Sequence, residues 1–282
     1  MPDNSAVTDT VQTVAARLTC SSVGDLACPK KYKLLRIERA WPSRDVLLPV
    51  AHGKAVHAAL RDIYTDRSGG DLDLTNLEAV ARGAVRNTWY PRDIDREAQV
   101  QRVMAAVRGF VQADDYEDIE GILGLEVQGE FEVRVRDGDT GEVRVLCVIS
   151  SRLDCALSRA SSPDTLVIRE RKTTAQRVDL RECYIMMRVA KKKYPDYKQV
   201  VIEFDWLDPE DNRVVRDTIT QREVAGQHRI VMGLAYKVLT ATEYPAVPGE
   251  QVCKFCPHRT SCQSLPPDVM SEAALRKMAD GL

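Results

Sequence analysis

The spacing of apolar residues along the chain changes twice, and each change marks a different kind of element. Over 23–40, Val23, Leu26, Ala27, Leu34, Leu35 and Ile37 can line one side of a helix, and Pro42 follows its end. Residues 50–66 repeat the pattern with Val56, Ala59, Leu60 and Ile63, and further helices fill 74–89 and 94–112. From Leu123 the period becomes two: 123–135 alternates apolar and polar residues, as a half-buried strand does. A turn at Asp137-Gly138-Asp139-Thr140-Gly141 leads to a second strand over 143–156, rich in β-branched residues. After a loop at 158–164, Leu166-Val167-Ile168 opens a third strand. A helix over 178–194, strands at 199–207 and 213–219, and a helix over 221–241 complete the pattern. Helices, three strands, helix, two strands and helix, in that order, predict an α/β fold with a mixed sheet. The chain divides into a flexible segment 1–22, a helical section 23–115, a core 116–245 that carries the strands, and a cysteine-containing end with a tail helix, 246–282.

Composition narrows the class. With 282 residues, 44% hydrophobic and 29% charged, the chain has the material of a soluble globular protein with a proper core. No apolar run is long enough to span a membrane, and Met1-Pro2-Asp3-Asn4 lacks the pattern of a secretory signal. A cytoplasmic protein with reduced thiols is expected. Its 8 cysteines are then core residues or metal ligands rather than disulfides. A net charge of −2 excludes a global basic signature. Local basic clusters exist: Lys30, Lys31, Lys33, Arg36, Arg39 and Arg44; Arg169, Arg171 and Lys172; and Lys191 to Lys193. Asp114, Asp115, Glu117, Asp118 and Glu120 form an acidic stretch. Such runs read first as solvated faces, and the basic ones are compatible with a phosphate-binding groove.

Cys253, Cys256 and Cys262 follow a Cys-x2-Cys-x5-Cys spacing. Three soft ligands are too few for a closed four-coordinate site. Cys28, followed by Pro29 and basic residues, is the favoured fourth, with Cys20 as its competitor. A metal held this way clasps the two ends of the chain together. One remote and three clustered cysteines lean toward an iron–sulfur cluster over zinc, for which His258 is a rival ligand. Cys20, Cys147, Cys155 and Cys183 read otherwise as small core hydrophobes.

The third strand continues into Arg169-Glu170-Arg171-Lys172, and the second contains Ser151-Arg152-Leu153-Asp154. Glu170 and Lys172 are two apart, so their side chains share a face of an extended strand. If the two strands pair through the loop, Asp154 lies beside Glu170. Two carboxylates and a lysine suit a hard cation such as Mg²⁺ or Mn²⁺, and that combination suits phosphodiester hydrolysis. Glu126 or Glu130, on the first strand, could add a carboxylate, but the alternation gives each a surface reading, which is the favoured one.

Asp154 followed by Glu170-Arg171-Lys172 resembles the Asp…(Asp/Glu)-x-Lys signature of the PD-(D/E)XK nuclease superfamily. Its RecB-like branch carries an upstream helical Gly-x-x-x-His, which Gly53-Lys54-Ala55-Val56-His57 matches. Some members add an N-terminal Cys-Pro-(Arg/Lys) and a C-terminal Cys-x2-Cys-x5-Cys that hold a 4Fe–4S cluster; Cys28 with Cys253, Cys256 and Cys262 resembles that set. In these motifs the chain is similar to CRISPR-associated RecB-like exonucleases and AddB-type nuclease domains. The resemblance implies a restriction-endonuclease-like mixed sheet flanked by helices. It implies His57, Asp154 and Glu170 as Mg²⁺ or Mn²⁺ ligands, with Lys172 as the catalytic lysine. One departure is that Leu180 stands where the branch has a Gln four residues before Tyr184, and Gln176 lies earlier.

The function implied is a metal-dependent DNase, an exonuclease on single-stranded ends, with Lys30, Lys31, Arg171 and Tyr184 as candidates for DNA contact. DNA repair, phage recombination, CRISPR spacer capture and defence are all compatible. A helicase or integrase partner would be a separate chain, and a homo-oligomer is compatible with relatives that form toroids. Two other classes stand beside this one: a non-catalytic nucleic-acid-binding or scaffold subunit that keeps the fold, and a zinc-stabilised regulatory protein.

Overall fold

The structure, a computed structural model, describes residues 16–40, 44–65 (backbone only at 44–47), 74–114, 118–136, 138–173, 178–208 and 213–248, with Cys253, Cys256, His258 and Cys262. Six strands form one mixed sheet: β1 (Ala16–Thr19), β2 (Ile119–Arg136), β3 (Val143–Arg159), β4 (Thr165–Lys172), β5 (Gln199–Leu207) and β6 (Val214–Ile219). The order is β1-β3-β4-β5-β6, and β2 runs antiparallel to β3 along nearly its whole length. On the other edge of β3, β1 pairs in parallel at 147–150 and β4 pairs antiparallel at 155–158. β4 and β5 are parallel, and β5 and β6 antiparallel.

The helices are α1 (Cys20–Asp25), α2 (Pro29–Tyr32), α3 (Arg44–Thr65), α4 (Leu77–Asn87), α5 (Arg96–Gln112), α6 (Leu180–Lys193) and α7 (Gln227–Leu239). Capping sets several starts. Asp95 accepts from the Glu97 and Ala98 amides at α5, and Asp179 accepts from the Arg181 amide at α6. Two cores result. α1, α6 and α7 pack with Leu18, Phe131, Ile149, Leu166, Ile168 and Ile202, and α3, α4 and α5 bury Val56, Leu60, Val103 and Phe110 in a second. Among the described residues, no helix is long and apolar enough to cross a membrane.

The mixed sheet flanked by helices is the expected architecture, and differences lie at the N-terminus. Ala16–Thr19, inside the segment read as flexible, is a strand in register with Cys147–Ser150. The single helix expected over 23–40 is two short helices and a π-helical turn, Lys33–Ile37. Pro29 is the cause. It removes an amide donor and forces the preceding residue out of the helical region, so Cys28 is extended at φ −127° and ψ 105°. The break leaves Cys28 at a helix entrance, free of intrahelical packing. Residues 1–15 and the expected tail helix lie outside the described residues.

Two glycines allow elements to approach closely. A Cβ on Gly129 of β2 would meet Val189 Cγ1 of α6 at 2.5 Å, so a side chain there is excluded unless α6 shifts. A Cβ on Gly53 would meet Thr173 Oγ1 at 3.2 Å. Gly53 thus lets α3 lie against the end of β4, one turn before His57, and this gives the Gly-x-x-x-His spacing its physical meaning.

Candidate active site

β3 and β4 pair with Cys155 opposite Arg169, which puts Asp154 beside Glu170. The two are bonded directly: the Asp154 amide donates to Glu170 Oε1 at 3.1 Å, and the Arg171 amide donates to Asp154 Oδ2 at 3.1 Å. Lys172 Nζ lies 3.3 Å from Glu170 Oε2. His57 arrives from α3 with Nδ1 3.3 Å from Asp154 Oδ2. Four residues spread over more than 110 positions therefore meet at one end of β4.

Their ionisation is divided. Burial opposes charge on Asp154, but His57, Lys172 and the Arg171 amide outweigh it and hold the carboxyl down at about 2. Burial and then the Asp154 charge push Glu170 up to about 7. His57 is raised because the Asp154 carboxylate outweighs its burial. Burial also works against Lys172, yet Glu170, Asp154 and Glu182 hold its ammonium above the usual lysine range. Two like charges at this spacing cannot both be ionised cheaply, so Glu170 is the one that keeps a proton.

A fifth group joins them. Ligand atoms of His57, Glu126 and Asp154 all lie within 4.8 Å of one another, the one such group among the described residues. Glu126 sits on β2 with φ 51°, a left-handed conformation rare for a residue with a side chain and costing on the order of 1–3 kcal/mol. Its carboxyl is pushed up by burial and by Asp154. Glu130, another carboxylate on that strand, pairs instead with Arg17 at 2.9 Å, half-exposed. The surface assignment of Glu126 is therefore corrected. Alternation along β2 could not reveal it, because that pattern assigns a face and not which strand end reaches α3.

The donor set suits a hard divalent cation: two or three carboxylates, one imidazole, and a lysine to balance charge. Glu170 adds a test. Below about pH 7 its site holds a proton, and a cation has to displace it. The apparent affinity for Mn²⁺ should therefore rise with pH through about 7, where Glu170 loses its proton, with the raised His57 adding to the same dependence because a ligating imidazole must be neutral. Cation binding at about pH 6 should release a proton, visible as a dependence of the calorimetric heat on the buffer's ionisation enthalpy. Binding heats identical in all buffers would refute this ionisation pattern.

Other expected site residues fall elsewhere. Arg171 turns its side chain to the opposite face of β4, where it is buried, bonds Asp114 Oδ2 at 3.2 Å and stacks on Tyr64. It contributes its amide to the site, and the expectation of a DNA contact through its guanidinium is corrected. Tyr184, another such candidate for DNA contact, is largely buried, packed edge-on against Phe131 with its hydroxyl 2.7 Å from His228 Nδ1. α6 instead brings Glu182 into range of Lys172. Gln176 lies outside the described residues. Lys31 pairs with Asp25 at 3.0 Å, and the Lys30 amide donates to Pro245 O.

The segments that carry the cysteines lie near one another, although among the described residues no three of their thiols come within 4.8 Å of one another. The Lys30–Pro245 bond and a contact of the Val247 amide with Cys28 Sγ at 3.5 Å lay the late segment along α2. Cys256 donates its amide to Cys253 O, and its thiol is raised by burial and further by Cys28 and Cys262 nearby. Cys28, Cys253 and His258 are buried. Cys20, the alternative fourth ligand, faces the other way: its thiol contacts Glu182 O at 3.6 Å and is influenced by Ser151, Glu170 and Lys172.

Comparison with known proteins agrees with this geometry. A family model described as the PD-(D/E)XK nuclease superfamily matches residues 18–263. No curated protein matches the sequence. Among solved structures, a candidate exonuclease from Eubacterium rectale is similar over 100% of both chains, with 11% identity and a TM-score of 0.55. The crystal structure of SSO0001 overlaps 90% of this chain and 87% of its own, with 10% identity and a TM-score of 0.40, too distant to carry an argument.

Proposed function

The chain belongs to the PD-(D/E)XK nuclease superfamily, and from that premise we propose that it is a Mg²⁺- or Mn²⁺-dependent deoxyribonuclease, working as an exonuclease on single-stranded ends. The observation that carries the reading is the bonded set Asp154–Glu170–Lys172 with His57 on Asp154. The candidate exonuclease from Eubacterium rectale supports it as a likeness of fold. A divalent ion held by His57, Asp154 and Glu170, with Glu126 beside them, would polarise a phosphoryl oxygen and make bound water a nucleophile.

The chain's own residues do the rest. The Arg171 amide and His57 fix the Asp154 carboxylate in one orientation. Glu170, raised to about 7, would act as a ligand in its deprotonated form. Lys172, kept protonated, orients the attacking water and balances charge building on the phosphate. We further propose that Cys28, Cys253, Cys256 and Cys262 hold a structural 4Fe–4S cluster, closing the ends of the chain around the nuclease core.

The test is an assay on end-labelled single- and double-stranded DNA with Mn²⁺, Mg²⁺ and EDTA arms. Nucleotides released progressively from single-stranded ends in Mn²⁺, and none in EDTA, are expected. DNA binding without cleavage in either metal would overturn the enzyme in favour of a scaffold subunit. The same protein, purified without oxygen, should be brown and contain iron and acid-labile sulfide. A colourless protein with stoichiometric zinc would remove the cluster.

A further inference from the structure

The metal-ligating end of the site is flanked by two exposed arginines, on the two elements that supply His57 and Asp154. Arg61 lies four residues after His57 on α3, so both side chains occupy one helix face, a turn apart. Arg152 lies two residues before Asp154 on β3, so those two share a face of the strand. Each step away from the His57–Asp154 contact is about 6 Å along its own element, one helical turn or two strand residues.

Between them sits Glu126. Arg152 Nε is 2.6 Å from Glu126 Oε2, and the charges of Arg152 and Arg61 both act on that carboxyl. The side chains remain open to solvent, 58% exposed for Arg152 and 50% for Arg61. Arg61 also pairs with Asp62 at 3.0 Å, a neighbouring exposed contact worth little. Contrast Arg169 and Arg171, whose guanidiniums are buried against carboxylates on the far side of β4. Lys54, exposed three residues before His57, extends the cationic line along α3.

A planar guanidinium with free donors is the group that grips a phosphate in two places. Arg152 stays 58% exposed while paired with Glu126, so its guanidinium can also face an anion from solvent with no cation bound. We propose that Arg61 and Arg152 form a phosphate-binding subsite that holds the nucleic-acid backbone one nucleotide away from the scissile phosphate. The subsite rests on the nuclease reading for its substrate, and its position sets which bond of a bound strand reaches Asp154 and Glu170.

The experiment measures binding apart from cleavage. Fluorescence anisotropy of a labelled oligothymidine is followed in EDTA across a salt series for wild type, Arg61→Ala, Arg152→Ala and the double variant. Arg134→Ala, on the exposed β2–β3 hairpin and paired with Glu132, controls for charge alone. The double variant should bind about tenfold more weakly, with the slope of log K against log salt reduced by about 1. In Mn²⁺ its KM should rise while its kcat at saturation stays within a few-fold of wild type. Arg61→Lys and Arg152→Lys should recover part of the affinity.

Wild-type affinity and salt slope in the double variant, or an equal loss in Arg134→Ala, would overturn the subsite. So would wild-type protein that binds no oligothymidine. A fall in Mn²⁺ binding with DNA affinity unchanged would reduce Arg152 to a structural partner of Glu126 and also overturn it. Wild-type protein that binds DNA in EDTA yet never cuts in Mn²⁺ sinks the nuclease reading alone, because the binding comparison still judges the arginines.

Discussion

Lys172→Ala should fold and bind Mn²⁺ more weakly than wild type, and its cleavage at saturating Mn²⁺ should fall by on the order of 10³-fold. The fold survives because Lys172 ends β4 with its side chain 32% exposed and its ammonium over the Phe204 ring, 5.8 Å from the centroid. What disappears is the single cation 3.3 Å from Glu170. Without it, Glu170 faces Asp154 with less opposing charge and keeps its proton to higher pH, so metal loading is penalised along with catalysis. Lys172→Arg restores charge but not the compact ammonium, and should recover metal binding more than rate. Single-turnover assays on labelled single-stranded DNA, with calorimetry for Mn²⁺ and circular dichroism for folding, separate these effects. A folded Lys172→Ala protein that cuts at the wild-type rate would remove Lys172 from the chemistry.

Local spacing makes Asp154, Glu170 and Lys172 legible in the sequence, whereas His57 is legible only through the resemblance of Gly53–His57 to a family motif. Glu-x-Lys puts two side chains on one strand face, and the 158–164 loop fixes the pairing that brings Asp154 opposite. The sequence offers Glu126 only as an alternative level with Glu130, because a regular polar alternation hides the position where β2 turns left-handed and reaches α3. Arg171 misleads for the complementary reason. A basic cluster at 169–172 looks like one surface, yet strand alternation sends Lys172 to the site and Arg169 and Arg171 to the other face. The helix over 23–40 fails at Pro29, whose constraint on Cys28 outweighs the apolar periodicity on either side. Periodicity finds elements and faces; partners across the sheet depend on topology.

Those two buried arginines lead to the largest expected loss of stability. Asp114, at the end of α5, bonds Arg169 Nη1 at 2.6 Å and Arg171 Nη2 at 3.2 Å. Arg169 is 0% exposed and also bonds Glu203 Oε2 at 2.9 Å, while Asp205 is shared with Arg216 at 2.6 Å. Such a network is not itself a large net gain, because each charge loses its hydration on burial. Removing one member is costly, since its partners stay buried with less compensation. Asp114→Ala should therefore destabilise the protein by about 3–5 kcal/mol, lowering Tm by on the order of 10 °C. Asp114→Asn, which keeps an acceptor, should cost less. The loss should also reach the active site. Arg169 and Arg171 alternate along β4 with Glu170 and Lys172, so the strand that presents the catalytic groups is tied to α5 from behind through Asp114. Asp114→Ala should lower kcat even where it remains folded, with a weaker effect on KM. Urea unfolding gives the first quantity and steady-state cleavage the second. An unchanged unfolding midpoint would show that the buried network tolerates the loss of Asp114 and that β4 is held by its sheet neighbours alone.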